Sequence, residues 1–131
     1  MSKKKANSTN TVNQFYLEER CTLNKVLQII GKRWVSEVLV LIQHDIGRFS
    51  QLKDCLDGIS DNVLSTVLNE LVKQELVEKK VFKETPLRVE YSITPSGQEL
   101  TTRLHDLCDW GKKHIPYDVR IRPTFSKKMT A

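Results

Sequence analysis

The chain has 131 residues, 39% hydrophobic and 28% charged, a balance that suits a single domain with one core and argues against disorder throughout. No apolar run approaches the roughly 18 residues needed to cross a membrane, and the N-terminal lysines are not followed by the apolar segment of a secretory signal. The formal net charge is +5, but Lys3, Lys4 and Lys5 carry three of it and residues 118–131 a net three more, leaving residues 6–117 at about −1 by difference. The folded part is therefore not globally basic, and affinity for a polyanion must come from local patches and tails.

Three cysteines without an export signal read as reduced thiols of a cytoplasmic protein. They form no CxxC, and none of His44, His105 and His114 lies near a cysteine pair, so neither a metal site nor a cofactor is expected.

Residues 1–14 are polar and basic and are expected to form a flexible tail. Phe15, Tyr16 and Leu17 open a short amphipathic segment that should dock on this subunit or on a partner. Thr22 offers an N-cap for a first helix, in which Leu23, Val26, Leu27 and Ile30 recur at helical spacing before Gly31 ends it. Trp34, Val38, Leu41 and Ile42, widened by Val35 and Leu39, mark a second helix that stops near Gly47.

The stretch Arg48–Leu71 then reads as two helices joined by a tight turn. Ser50 is the expected N-cap of the first, whose apolar face carries Leu52, Cys55 and Leu56, and Asp57-Gly58 ends it. Ser60 caps the second, with Ile59 placed to pack on Leu64 as a hydrophobic staple. Leu64, Leu68 and Leu71 line one face, flanked by Val63 and Val67, while Asn62, Ser65, Thr66 and Asn69 share another. An apolar back with a front of small amides and hydroxyls suits a helix in a DNA major groove. The competing reading is an ordinary solvated face beside a core, and helix-turn-helix shapes do occur in proteins that bind no nucleic acid.

The residues beyond Leu71 shift the balance. Val77–Phe82 alternates loosely, and Leu87, Val89, Tyr91 and Ile93 alternate cleanly with Arg88, Glu90 and Ser92, so two strands joined through Lys83–Pro86 form a hairpin. Lys79, Lys80, Lys83 and Arg88 give it a positive excess near its tip. A basic ribbon directly after a recognition helix is a wing that reaches backbone phosphate or the minor groove; lysines on edge strands also serve simply to block sheet pairing. Thr94-Pro95 opens the last helix as N-cap and first helical residue. Leu100, Leu104, Leu107, Cys108 and Gly111 stripe it, with Trp110 close by, and this face together with Phe15–Leu17 is the expected dimer surface. Residues 116–131 look like a basic tail, so the folded domain is expected over 15–115. There is no phosphate loop, HExxH or nucleophile elbow, and an enzyme is not expected.

Several of these pieces together resemble one family. Cys21, Gly31-Lys-Arg-Trp34, Arg48-Phe-Ser-Gln-Leu52, Gly58-Ile-Ser60, Leu68-Asn-Glu-Leu71, Pro86-Leu-Arg-Val-Glu-Tyr-Ser-Ile-Thr94 and Trp110-Gly111 are similar to the HxlR family of bacterial winged-helix transcription regulators. The resemblance covers residues 21–111. Two departures are visible: the family usually has Gly-Gly-Lys-Trp where this chain has Gly31-Lys32-Arg33-Trp34, and proline where Leu87 stands. The resemblance implies a mainly α fold with a small β-hairpin wing (α+β), a winged helix-turn-helix dimerising through N- and C-terminal helices. It implies a homodimer on double-stranded DNA, with an inverted-repeat operator whose half-sites lie about 34 Å apart. Ser50, Ser60, Asn62, Ser65, Thr66 and Asn69 would then stand at or near base edges and phosphates, with Lys83 and Arg88 acting on the backbone from the wing.

The resemblance also implies a sensing role for Cys21 toward an oxidant or an electrophile, the alternative effector being a small-molecule ligand. If Cys21 does form a disulfide, Cys108 or Cys55 of the second subunit is the natural candidate. Neighbouring Arg20 and a helix N-terminus just after it would both favour the thiolate. The competing role is that of a small apolar filler near an interface. For the chain as a whole, the alternative to a DNA-binding regulator is a winged-helix protein–protein interaction module, favoured by the near-neutral charge of residues 6–117.

Overall fold

The computed structural model describes residues 20–116. The tails expected at 1–14 and beyond 116, and the Phe15–Leu17 segment, lie outside the described residues. Residues 20–30 are helical (α1), followed by α2 (Val35–Gln43), α3 (Phe49–Cys55), α4 (Asp61–Lys73), β1 (Val77–Phe82), β2 (Arg88–Ile93) and α5 (Pro95–His114). The described residues divide between Arg33 and Trp34 into two units, of which the first contributes α1 and the second everything else.

Within the first unit, residue 20 is already helical, so Cys21 and Thr22 lie inside α1 and Thr22 is not its cap. Arg20 is a good helix former, and nothing in the sequence stops the helix there. Gly31 does end it, its N–H donating to the Leu27 carbonyl at 2.8 Å. Leu23, Val26 and Leu27 are exposed.

The second unit is built around one core. From α2 it takes Val35, Val38, Leu39, Leu41 and Ile42, from α3 and its exit Leu52 and Leu56, and from α4 Leu64, Leu68 and Leu71, all of them fully buried. Each such side chain stabilises the fold by about 1.5–3 kcal/mol relative to exposure. Trp34 begins α2 with φ 78, a conformation bulky residues rarely adopt, and burial of its side chain in the core holds it there.

Helices α3 and α4 form the expected pair with one change. The N-cap of α3 is Arg48, in extended conformation, so Ser50 is an interior helical residue. The reason is that residues 47–48 are held as a short strand. Tyr91 donates its N–H to the Gly47 carbonyl at 2.9 Å, and Arg48 bridges Glu90 antiparallel. A Cβ on Gly47 would stand 2.1 Å from the Tyr91 oxygen, so only glycine lets the two backbones meet. Gly58 turns the chain with φ +86, and Ser60 accepts the Val63 N–H at 3.1 Å, capping α4 as its position predicts.

Strands β1 and β2 pair antiparallel from Val77↔Ile93 to Phe82↔Arg88. The clean alternation read over Leu87–Ile93 does not become an alternation of burial: Leu87 precedes the strand, and every residue of β2 is half-buried. Among the described residues the sheet has two strands, β1 and β2. The isolated bridge from Arg48, together with the Tyr91–Gly47 hydrogen bond, covers the other edge of β2 at Glu90 and Tyr91, so its polar residues are half-buried along with its apolar ones.

Helix α5 starts where Thr94 and Pro95 predict. The Thr94 side-chain oxygen accepts the Gly97 N–H at 3.0 Å and donates to the Glu75 carbonyl at 2.7 Å. Its backbone N–H reaches the Leu76 carbonyl at 3.1 Å. The stripe on α5 divides along its length: Leu100 and Leu104 pack on the core, whereas Leu107, Cys108, Trp110 and then Ile115 are exposed.

Gly97 is buried, and a Cβ there would meet the Leu76 oxygen at 2.1 Å. Gly97→Ala is therefore expected to cost about 3 kcal/mol through enforced backbone displacement. Gly58→Ala, with open space but a left-handed backbone, should cost about 1 kcal/mol. Urea unfolding of the two variants measures the difference.

Candidate nucleic-acid interface

The capped N-terminus of α4 and its buried leucines decide which of its side chains face solvent. With Leu64, Val67, Leu68 and Leu71 turned into the core, Asn62, Ser65, Thr66 and Asn69 are all exposed along the opposite side, as a helical period requires. Ser60 lies at the start of the same helix, its oxygen engaged as the cap. The Thr66 hydroxyl donates to the Asn62 carbonyl at 2.9 Å, a bond with which a ligand acceptor would have to compete. Ser50 is exposed on α3. An ion pair between Lys53 of α3 and Asp61 of α4 ties the two helices at their outer side. Both partners are largely exposed, so the pair fixes geometry more than it adds stability.

Two residues on this surface escaped the sequence reading. Lys73 is exposed in the last turn of α4, and the signal for it was present, since it continues the Asn62, Thr66, Asn69 series by one more helical turn. Val63 is 41% exposed, although it adjoins the apolar stripe on the helical wheel.

The wing brings forward its lysines and holds back its arginine. Lys79, Lys80 and Lys83 are exposed. Arg88 lies with its guanidinium carbon 4.2 Å from the centre of the Phe82 ring, its cross-strand partner. Its Nε, shielded from solvent, approaches Glu84 at 3.4 Å and Glu90 at 3.6 Å without hydrogen-bond geometry. Two carboxylates thus offset its charge. At the base of β2, burial raises the Tyr91 phenol above its ordinary 10.0, keeping it neutral.

Cys55 is buried in the core, while Cys21 and Cys108 are exposed. Among the described residues no cluster of three or more His, Cys, Asp or Glu is placed to hold a metal ion, and no helix is long and apolar enough to cross a membrane.

The geometry has close counterparts among known proteins. The HTH-type transcriptional regulator YvaP of Bacillus subtilis is 35% identical over 91 residues, covering 70% of this chain and 84% of the relative. The solved reduced form of the B. subtilis transcriptional regulator YodB superposes with TM-score 0.67 at 28% identity, over 74% of this chain and 96% of the other. The redox regulator HypR in its oxidised form gives TM-score 0.66 at 27% identity, over 76% of this chain and all of the other. The HxlR-like helix-turn-helix profile matches residues 29–119, and the chain belongs to that family of winged-helix transcriptional regulators.

Proposed function

We propose that this regulator is a cytoplasmic homodimer that binds an inverted-repeat DNA operator through α4 and the wing, acting by binding and not by catalysis. The observation that carries the reading is the exposed polar arc Asn62, Ser65, Thr66 and Asn69 on a helix whose back is fully buried. Small amides and hydroxyls on the first turns of such a helix are the groups that meet base edges. Ser50 and Ser60 stand near it for phosphate contact. From the wing, Lys83 acts directly on the backbone, while Arg88, paired within the hairpin, shapes the ribbon that carries the lysines and reaches phosphate only by leaving Glu84 and Glu90.

The exposed Leu107, Trp110 and Ile115 of α5, and separately Leu23, Val26 and Leu27 of α1, supply apolar surface for the dimer. Cys21 is exposed on α1, and the redox relatives support a thiol switch there, operated by an oxidant or electrophile. Effector and DNA must then prefer different dimer geometries. The near-neutral residues 6–117 favour a second reading, a protein–protein interaction module. Selection from genomic fragments followed by titration at rising salt separates the two: one enriched inverted repeat, bound with steep salt dependence, supports the regulator, and no enrichment supports the module.

Asn62→Ala is expected to relax sequence preference, with about 1–3 kcal/mol of discrimination lost at one base position. Lys83→Ala should weaken binding to every sequence alike and lower the salt slope by about one. Equal, sequence-blind losses from both would place the reading helix elsewhere. Trp110→Glu should shift sedimentation from dimer to monomer. Diamide should release wild-type protein from the selected operator but leave Cys21→Ser bound; release of both would assign the response to another thiol.

A further inference from the structure

Val63 is the one large apolar side chain of α4 that the core leaves substantially open, at 41% exposure. It occupies the first turn, where its N–H is fixed by the Ser60 cap at 3.1 Å, directly after Asn62 in the part of a reading helix that comes closest to base edges. Thr66 is its neighbour one turn on, at the three-residue spacing that brings helical side chains together. Because the Thr66 hydroxyl donates to the Asn62 carbonyl at 2.9 Å, its proton reaches a base acceptor only by giving up that bond, while its methyl group remains an apolar surface. The two residues therefore offer adjoining methyl groups amid the polar arc.

We infer that Val63 and Thr66 together read the 5-methyl group of a thymine in each operator half-site. The thymine methyl is the apolar feature a base pair shows in the major groove, and it is the feature that suits the methyl groups of this pair of side chains. The inference rests on the regulator reading above and deepens it. Asn62 remains the hydrogen-bonding reader, and Val63–Thr66 adds a contact that distinguishes thymine from cytosine, and A·T from T·A.

The test uses the full-length protein and the duplex obtained by selection, replacing each thymine of a half-site in turn by deoxyuridine. That change removes one methyl group and leaves every hydrogen-bonding group in place. At one thymine per half-site, wild-type affinity should fall about fourfold, the size expected for one buried methyl group. Val63→Ala, at an exposed helical position where alanine favours the helix, should bind the thymine and uracil duplexes with a clearly smaller difference. Thr66→Ser, which keeps the hydroxyl and removes the methyl, should reduce the penalty as well. A sequence preference indifferent to every thymine methyl, or a methyl penalty undiminished in Val63→Ala, would overturn this inference and leave the regulator reading standing. Absence of any sequence preference in the wild-type protein would overturn both.

Discussion

The burial of one face of α4 is the constraint on which the rest depends. Leu64, Leu68 and Leu71 are fully enclosed, contributing together about 5–9 kcal/mol of transfer free energy, a sum comparable with the whole stability of a small domain. Rotating α4 about its axis would expose them, so the helix has essentially one permitted orientation. The same packing that stabilises the fold therefore determines which side chains are offered outward. The polar arc is held in place by that packing, which leaves the Asn62, Ser65 and Asn69 side chains exposed to solvent.

The second constraint is a pair of close backbone approaches that only glycine permits. Gly47 lets the segment before α3 run against β2, and Gly97 lets α5 run against the turn that leaves α4. At the latter, Thr94 is bonded by its backbone to Leu76 and by its side chain to Glu75. The N-terminus of α5 is thus fastened to the residues between α4 and the wing. A tilt of α5 must either carry that turn with it or break the two hydrogen bonds from Thr94. The exposed half of α5 consequently has a stiff connection to α4 and to the base of the wing.

Much of this was legible in the sequence, for reasons specific to each element. The pairing Val77–Phe82 against the residues before Ile93 shows as a period of two bounded by a polar loop, and the Ser60 and Thr94 caps are local chemistry that needs no distant partner. What failed depended on distant contacts. Ser50 is as good a cap as Ser60 by residue type, but the start of α3 is set two residues earlier by the bridge from Arg48 to Glu90, which fixes an extended backbone at the cap. The α5 stripe reads as continuous because periodicity gives the face a helix buries but not where its neighbour stops; the core reaches Leu104 and not Leu107. Val63 sits at the edge of an apolar stripe, where a small rotation of the helix decides between burial and exposure.

Arg88 shows why summed charge misleads. On composition the hairpin is basic, and an arginine near its tip is the obvious phosphate contact. Yet a period of two places Arg88 and Glu90 on the same side of the strand, Glu84 lies across the turn, and Phe82 stands opposite to receive the guanidinium. An arginine bracketed in this way gives up little free charge to DNA, because reaching phosphate requires it to leave two carboxylates and an aromatic face. A wing can meet that difficulty by separating its tasks. Arg88 orders the ribbon, and lysines, whose compact ammonium groups stay solvated on flexible stems, supply the positive charge. With residues 6–117 close to neutral, the exposed cations that α4 and the wing themselves can offer a phosphate backbone are the three wing lysines and Lys73 at the far end of α4. In the proposed function, discrimination between sequences rests on short-range contacts along α4, because so few charges give only a modest electrostatic attraction.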